Sequence, residues 1–206
     1  KILYPKSDST IYERYPDRNT SIDQILELTK LTIGEYVDDV DNLFATWNDT
    51  YNSRMLLYFD VASLADNPID ATYYLSIKST EAVGIPTEYT LYAYPLAQPW
   101  KNGNGNFNDD PHISNGVSWL YRSDKLTADP WSGYTMESNV VSGGGSWNSG
   151  YVASQSFSND SPDIRMDITD IVQGWLHDDL PNHGIIVKHS TEGESNNEIY
   201  GSIKFF

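Results

Sequence analysis

Apolar and polar residues alternate along much of this chain. Between positions 72 and 79, Tyr73, Leu75 and Ile77 alternate with Tyr74, Ser76 and Lys78, the period of a strand with one buried face. The stretch 54–60 differs, because Met55, Leu56, Leu57, Tyr58 and Phe59 run together as in a central strand covered on both sides. Short runs rich in Thr, Tyr, Ile and Val, broken by Gly, Asn, Asp and Pro, predict further strands. The full predicted set is 9–13, 24–32, 54–60, 72–79, 89–94, 116–122, 151–157, 164–168, 185–189 and 199–205.

One segment changes period. Over 167–178, Ile168, Ile171, Val172, Trp175 and Leu176 fall at i, i+3, i+4, i+7 and i+8, one face of a helix. Asp167 or Thr169 can cap its start, and Pro181 and Gly184 lie beyond its end, where helices stop. A shorter turn at 61–65 is expected to lid one end of the strands. The loops 97–115 and 139–150 are long and rich in Gly and Asn, yet they carry Trp100, Phe107 and Trp147. Loops of that length are functional, ordered by a partner, or flexible. The predicted architecture is all-β: one β-sandwich domain over 1–206, with one or two short helices and long loops.

Composition narrows the function. The 206 residues suffice for a buried core, and with no cysteine the fold rests on packing and hydrogen bonds alone. A net charge of −16 repels phosphate backbones and anionic lipid, which argues against nucleic acid or a membrane surface as partner. Solubility accounts for such a charge; cation binding or a basic partner is the sharper alternative. No apolar run reaches the ~20 residues of a membrane span. The chain opens on Lys1 without a methionine or signal-like stretch, so a missing upstream piece and a removed leader are both open.

Catalytic patterns are scarce. No HExxH, Walker-type, GxGxxG or GxSxG sequence occurs. The four histidines are His112, His177, His183 and His189. His177 and His183 near the helix end read as capping or solvated groups, with a metal pair as the alternative, and His189 as a satisfied surface residue. Asp38, Asp39 and Asp41 read as a solvated loop. Asp109 and Asp110, in an Asn/Gly-rich turn, are the candidate ligands of a structural Ca²⁺, which takes several carboxylate and carbonyl oxygens; a hydrogen-bonded loop corner is the other reading. No other cofactor is expected.

Aromatics form 13% of the chain, enough to raise the question of a sugar-binding face. Trp100, Trp119, Tyr121, Trp131, Trp147 and Tyr134 crowd the loop-rich middle third and could supply rings for a glycan or a protein partner. The alternative is that they anchor long loops to the sandwich. Trp47 and Trp175 are assigned to packing.

Five ordered stretches carry a resemblance: Asp8–Ser9–Thr10–Ile11–Tyr12; Arg54–Met55–Leu56–Leu57–Tyr58–Phe59–Asp60; Gly116–Val117–Ser118–Trp119; Asp167–Ile168–Thr169–Asp170–Ile171–Val172–Gln173–Gly174–Trp175–Leu176; and Gly184–Ile185–Ile186–Val187–Lys188. Together they resemble the DNRLRE family of jelly-roll modules across nearly the whole chain. The resemblance implies a jelly-roll sandwich of the carbohydrate-binding-module type, carried on bacterial surface or secreted proteins. Some relatives bind acidic polysaccharides such as alginate, which the −16 charge opposes. It also places an arginine at Arg54, with Asp60, Asp167 or the sheet end as its surroundings.

The opening segment, with Tyr4–Pro5, Tyr15–Pro16 and Ile25–Leu26–Glu27–Leu28, together with Trp100–Lys101–Asn102–Gly103 and Gly116–Val117–Ser118–Trp119–Leu120–Tyr121–Arg122, is similar to virion structural proteins of marine tailed phages. That similarity implies a non-catalytic bacteriophage component of head decoration, neck or tail, located in the virion and contacting other virion proteins or copies of itself. A secreted, extracellular carbohydrate-binding module is the alternative. A polysaccharide-degrading enzyme ranks last, since no acid, base and nucleophile can be assembled.

Overall fold

The computed structural model describes the backbone of residues 1–37, 45–66, 70–132, 136–137, 140–141, 143–158, 161–196 and 200–206, and side chains among these except at 32–50 and 133–142. Trp47, Tyr134, Asp38, Asp39 and Asp41 therefore lie outside the described side chains. In chain order the strands are β1 (Ser7–Tyr12), β2 (Leu26–Val37), β3 (Ala45–Tyr58), β4 (Tyr74–Ile77), β5 (Ser79–Val83), β6 (Glu88–Pro95), β7 (Met136–Glu137), β8 (Val140–Val141), β9 (Ala153–Ser158), β10 (Ile164–Asp167), β11 (Ile185–His189) and β12 (Gly201–Phe205). Two short α-helices, α1 (Thr169–Leu176) and α2 (Thr191–Ser195), flank β11.

The protein is an all-β sandwich with short helices. An antiparallel sheet runs in the order β5-β12-β2-β3-β11-β6-β9, with β1 also on β3, and it curls so that its two ends face each other across a core. The curl passes through β3, which pairs with β2 up to Asn52 and with β1 from Ser53. Its other side meets β11 at Met55–Leu57. β10 and β4 form a separate pair, and β7 and β8 another.

Alternation sets up two apolar clusters. Met55, Leu57, Ile185, Val187, Leu91 and Ala93 point inward to meet Leu28, Ile203 and Phe205 of the facing strands, together with Ile171, Val172 and Trp175 of α1. Leu56 and Ile186 point the opposite way, into a second cluster with Ile11, Leu96, Val117, Trp119, Leu120 and Trp131. The prediction that 54–60 is covered on both faces holds for this reason. Loops, not a further sheet, supply the outer cover.

Some boundaries differ from expectation. The stretch 116–122 is not a strand but a set of turns tied by Val117 N–H to the Lys101 carbonyl and Ser118 N–H to the Tyr121 carbonyl; its apolar residues are buried as loop anchors. The helix begins at Thr169 rather than 167, because Asp167 completes β10 and Ile168 takes the N-cap position; the Asp167 carboxylate, one residue before it, accepts from Thr169 N–H at 3.0 Å and Thr169 Oγ1–H at 2.6 Å. The segment 72–79 divides between β4 and β5. β5, α2 and the first half of β3 carry no clear apolar period and were not predicted.

Candidate functional site

The five candidate rings converge. Trp119 and Trp131 are buried in the second cluster, while Trp100, Tyr121 and Trp147 pack against it half-buried. Two indole N–H groups serve as loop ties: Trp131 Nε1 donates to the Ser118 carbonyl at 3.1 Å and Trp100 Nε1 to the His183 carbonyl at 2.9 Å. Trp147 continues outward into a ring series on the sheet face, 5.8 Å from Tyr94, which lies 6.2 Å from Tyr92. Beside that series the Thr90 and Ser156 hydroxyls share a hydrogen bond of 2.9 Å.

Below Trp147 and Trp119 sits a buried ionic cluster. Arg54 shares the outward face of β3 with Leu56, and Lys188 shares that of β11 with Ile186. α2 lowers Glu194 onto both. Arg54 Nε donates to Glu194 Oε1 at 2.9 Å and Nη2 to Oε2 at 2.7 Å, a two-pronged pair. Lys188 Nζ reaches Glu194 Oε2 at 2.8 Å and the His189 carbonyl at 2.7 Å. The third prong, Arg54 Nη1, donates to the Gly144 carbonyl. Gly144 has φ +81°, and a Cβ there would stand 2.4 Å from Arg54 Nη1, so the loop approaches the guanidinium only with glycine.

Trp119 and Trp147 lie over the guanidinium at 4.6 and 5.2 Å, and Trp147 lies 5.3 Å from Lys188 Nζ. Burial pulls the Lys188 ammonium below the usual lysine value, and Glu194 partly offsets this. The partner of Arg54 is thus neither Asp60 nor Asp167. Asp60 binds Lys6, Asp167 accepts from Thr169 at the start of α1, and Glu194 sits 140 positions away on a helix without a periodic signature.

Next to this cluster His189 points inward. It is buried, not on the surface as expected, and neither ring nitrogen has a hydrogen-bond partner among the described residues. Burial lowers its pKa from 6.5 to about 4, with nearby Lys188 and Lys30 working in the same direction and Glu194 against it. Lys30 donates to the Asn196 carbonyl at 2.7 Å and to the Gly193 carbonyl. The other histidines are peripheral: His177 ends α1, its backbone N–H bonding Gln173 O, and His112 Nε2 lies 3.3 Å from Asp17.

The long loop 97–115 is organised by Asn19, which is fully buried. Its Oδ1 accepts from Gly105 N–H at 2.9 Å, and its Nδ2 donates to the Val117 carbonyl at 2.8 Å and to Ser21 Oγ at 2.9 Å. At Asp109, Oδ2 accepts from Asn106 N–H at 2.8 Å and the backbone N–H returns to Asn106 O at 3.1 Å, a closed loop corner. Asp110 leads into a cis peptide bond with Pro111. Among the described residues, no three His, Cys, Asp or Glu side chains gather as metal ligands. No helix among them is long and apolar enough to cross a membrane.

A hollow of about 630 Å³ opens at the α1 end, lined by Phe59, Leu64, Tyr73, Leu75, Ile168 and Trp175 among others, without a carboxylate or histidine. Comparison with family models, curated proteins and solved structures finds no match for this chain.

Proposed function

We propose that the chain is a non-catalytic structural and binding module that presents a fixed loop surface to neighbouring protein subunits, as a component of a phage virion. The observation that carries the non-catalytic reading is the inward turn of its chemistry. The buried carboxylate Glu194 is engaged by Arg54 and Lys188, and Trp119 and Trp131 are packing, leaving the outer surface to loops held by Asn19 and Arg54. Ordering those loops within the fold lowers the entropy cost of docking. The setting in a head decoration, neck or tail rests on the similarity of the opening segment and of the 100–122 stretch to phage virion proteins.

The test is direct. Mass spectrometry of purified particles from a phage encoding this chain should find it at structural copy number, and cryo-electron microscopy should show loops 97–132 against another chain. Absence from particles, with a strictly monomeric isolated chain, would reject the reading.

A second reading, a carbohydrate-binding module, is favoured by the ring series Tyr92, Tyr94 and Trp147 beside the Thr90 and Ser156 hydroxyls. It expects quenching of tryptophan fluorescence by a polysaccharide and loss of retention in Tyr94→Ala. Trp119→Ala and Trp131→Ala cannot test it, since both rings are core.

A further inference from the structure

Lys30 of β2 is fully buried, and one short stretch of chain holds its amine. Nζ donates to the Gly193 carbonyl, to the Asn196 carbonyl at 2.7 Å and to Asn196 Oδ1. Both oxygens of Asn196 thus grip the same nitrogen, and the Tyr200 ring packs 5.0 Å from it. Each residue is fixed by its own backbone. Lys30 stands in the β2–β12 ladder opposite Gly201, its carbonyl accepting from Tyr200 N–H at 3.1 Å. Asn196 closes α2, its N–H donating to the Glu192 carbonyl at 2.9 Å.

A lysine that only anchors the end of a short helix needs no more than backbone carbonyls. Here the amine also meets a carboxamide, and an amine enclosed against a carboxamide is a reactant pair. Enclosure keeps out the water that competes in acyl transfer. The carbonyl carbon of Asn196 lies one C=O bond, about 1.2 Å, behind Oδ1, so a small shift of Nζ brings the two reacting atoms together. Intramolecular partners that are well oriented reach effective concentrations of about 10⁵–10⁸ M. The product also suits its surroundings, because a neutral amide replaces an ammonium in an enclosed site.

We propose that Lys30 and Asn196 join in an intramolecular isopeptide bond. Nζ bonds to Asn196 Cγ and the Cγ–Nδ2 bond breaks. Nδ2 leaves as an ammonium ion with two protons from the lysine ammonium, so atoms and charge balance without an oxidant or further reactant. The link ties β2 to the end of α2 across 166 positions, a covalent closure in a chain without cysteine.

Intact-mass measurement of the full chain in denaturant tests this. The wild type should be lighter than its sequence requires by one ammonia. A tryptic digest should contain a branched peptide joining Lys30 to Asn196, uncut after Lys30. Lys30→Arg keeps the charge, Asn196→Ala removes the acyl group, and both should show the full mass of their sequences. If Lys30→Arg does not accumulate, Asn196→Ala is read by the same criterion. A wild type of full mass leaves Lys30 a polar anchor and overturns the proposal. So does an ammonia deficit that persists in the variants, or one that maps to Asn102–Gly103 or Asn104–Gly105, where succinimide formation expels the same molecule.

Discussion

Replacing Glu194 with alanine isolates the buried ionic cluster. The Glu194 side chain is 7% exposed and faces Arg54 at 10% and Lys188 at 1%, so removing it leaves two desolvated cations against each other. Exposed pairs on this surface, such as Lys204 with Glu81, are expected to contribute about 0–1 kcal/mol. Breaking a buried pair by deleting one partner costs about 3–5 kcal/mol, mostly from the stranded charge. For a chain of this size that corresponds to a fall in melting temperature of roughly 6–20 °C. Urea unfolding at pH 7.5, in 0.1 and 1 M NaCl, measures it. The loss should persist at high salt, because enclosed charges are screened little. Adding Arg54→Met to Glu194→Ala should recover part of the loss, since one stranded cation is removed with its partner. A Glu194→Ala loss below 1 kcal/mol that disappears in 1 M NaCl would show that water reaches this cluster, and the reasoning would fail.

Other perturbations reach different parts of the fold. Asn19→Ala strands the Gly105 N–H and Val117 carbonyl and should cost about 2–4 kcal/mol, with increased proteolysis inside 97–115 as the structural readout. Gly103→Ala should loosen the same loop, because a Cβ there would fall 2.2 Å from Asn19 Oδ1 and 2.5 Å from the Asn115 carbonyl. Trp175→Ala removes a core ring of α1 and should cost about 3–5 kcal/mol in denaturant melts. Acid should weaken the whole fold through His189. The folded-state value lies below the unfolded 6.5, so the unfolded chain binds the proton first. Stability is unaffected above pH 6.5 and declines as pH falls toward about 4, by about 3 kcal/mol in total. His189→Phe should flatten that part of the profile.

Much of the sandwich is written in local alternation. β4, β6, β9 and β11 announce themselves because each has a core face of evenly spaced apolar residues, and α1 because Ile171, Val172 and Trp175 share a helical stripe. The central position of 55–58 follows from an unbroken apolar run. What stayed hidden depends on partners distant in sequence. Tripeptide Val117–Ser118–Trp119 has strand composition, yet its backbone bonds go to Lys101 and Tyr121, and composition cannot say where an N–H will find its acceptor. Glu194 stands among other acids in a polar stretch, so nothing local distinguishes it as the counter-ion of Arg54. His189 gave one signal that could have been used: it ends a strand whose other residues are apolar or Lys188, and all five are buried. Asn19 carries no local mark at all, since its role arises from glycines some 85 to 97 positions later.

β3 sets a constraint on how the molecule is made. Residues 53–58 take one edge partner from β1, and residues 55–57 the other from β11, more than 120 positions later. A nascent chain that has not yet emerged past Ile185 leaves Leu56 without Ile186 and Arg54 without Glu194. Assembly of the native core therefore waits for synthesis through β11, and a premature stop anywhere before β11 should leave a polypeptide fit for degradation rather than a smaller working unit.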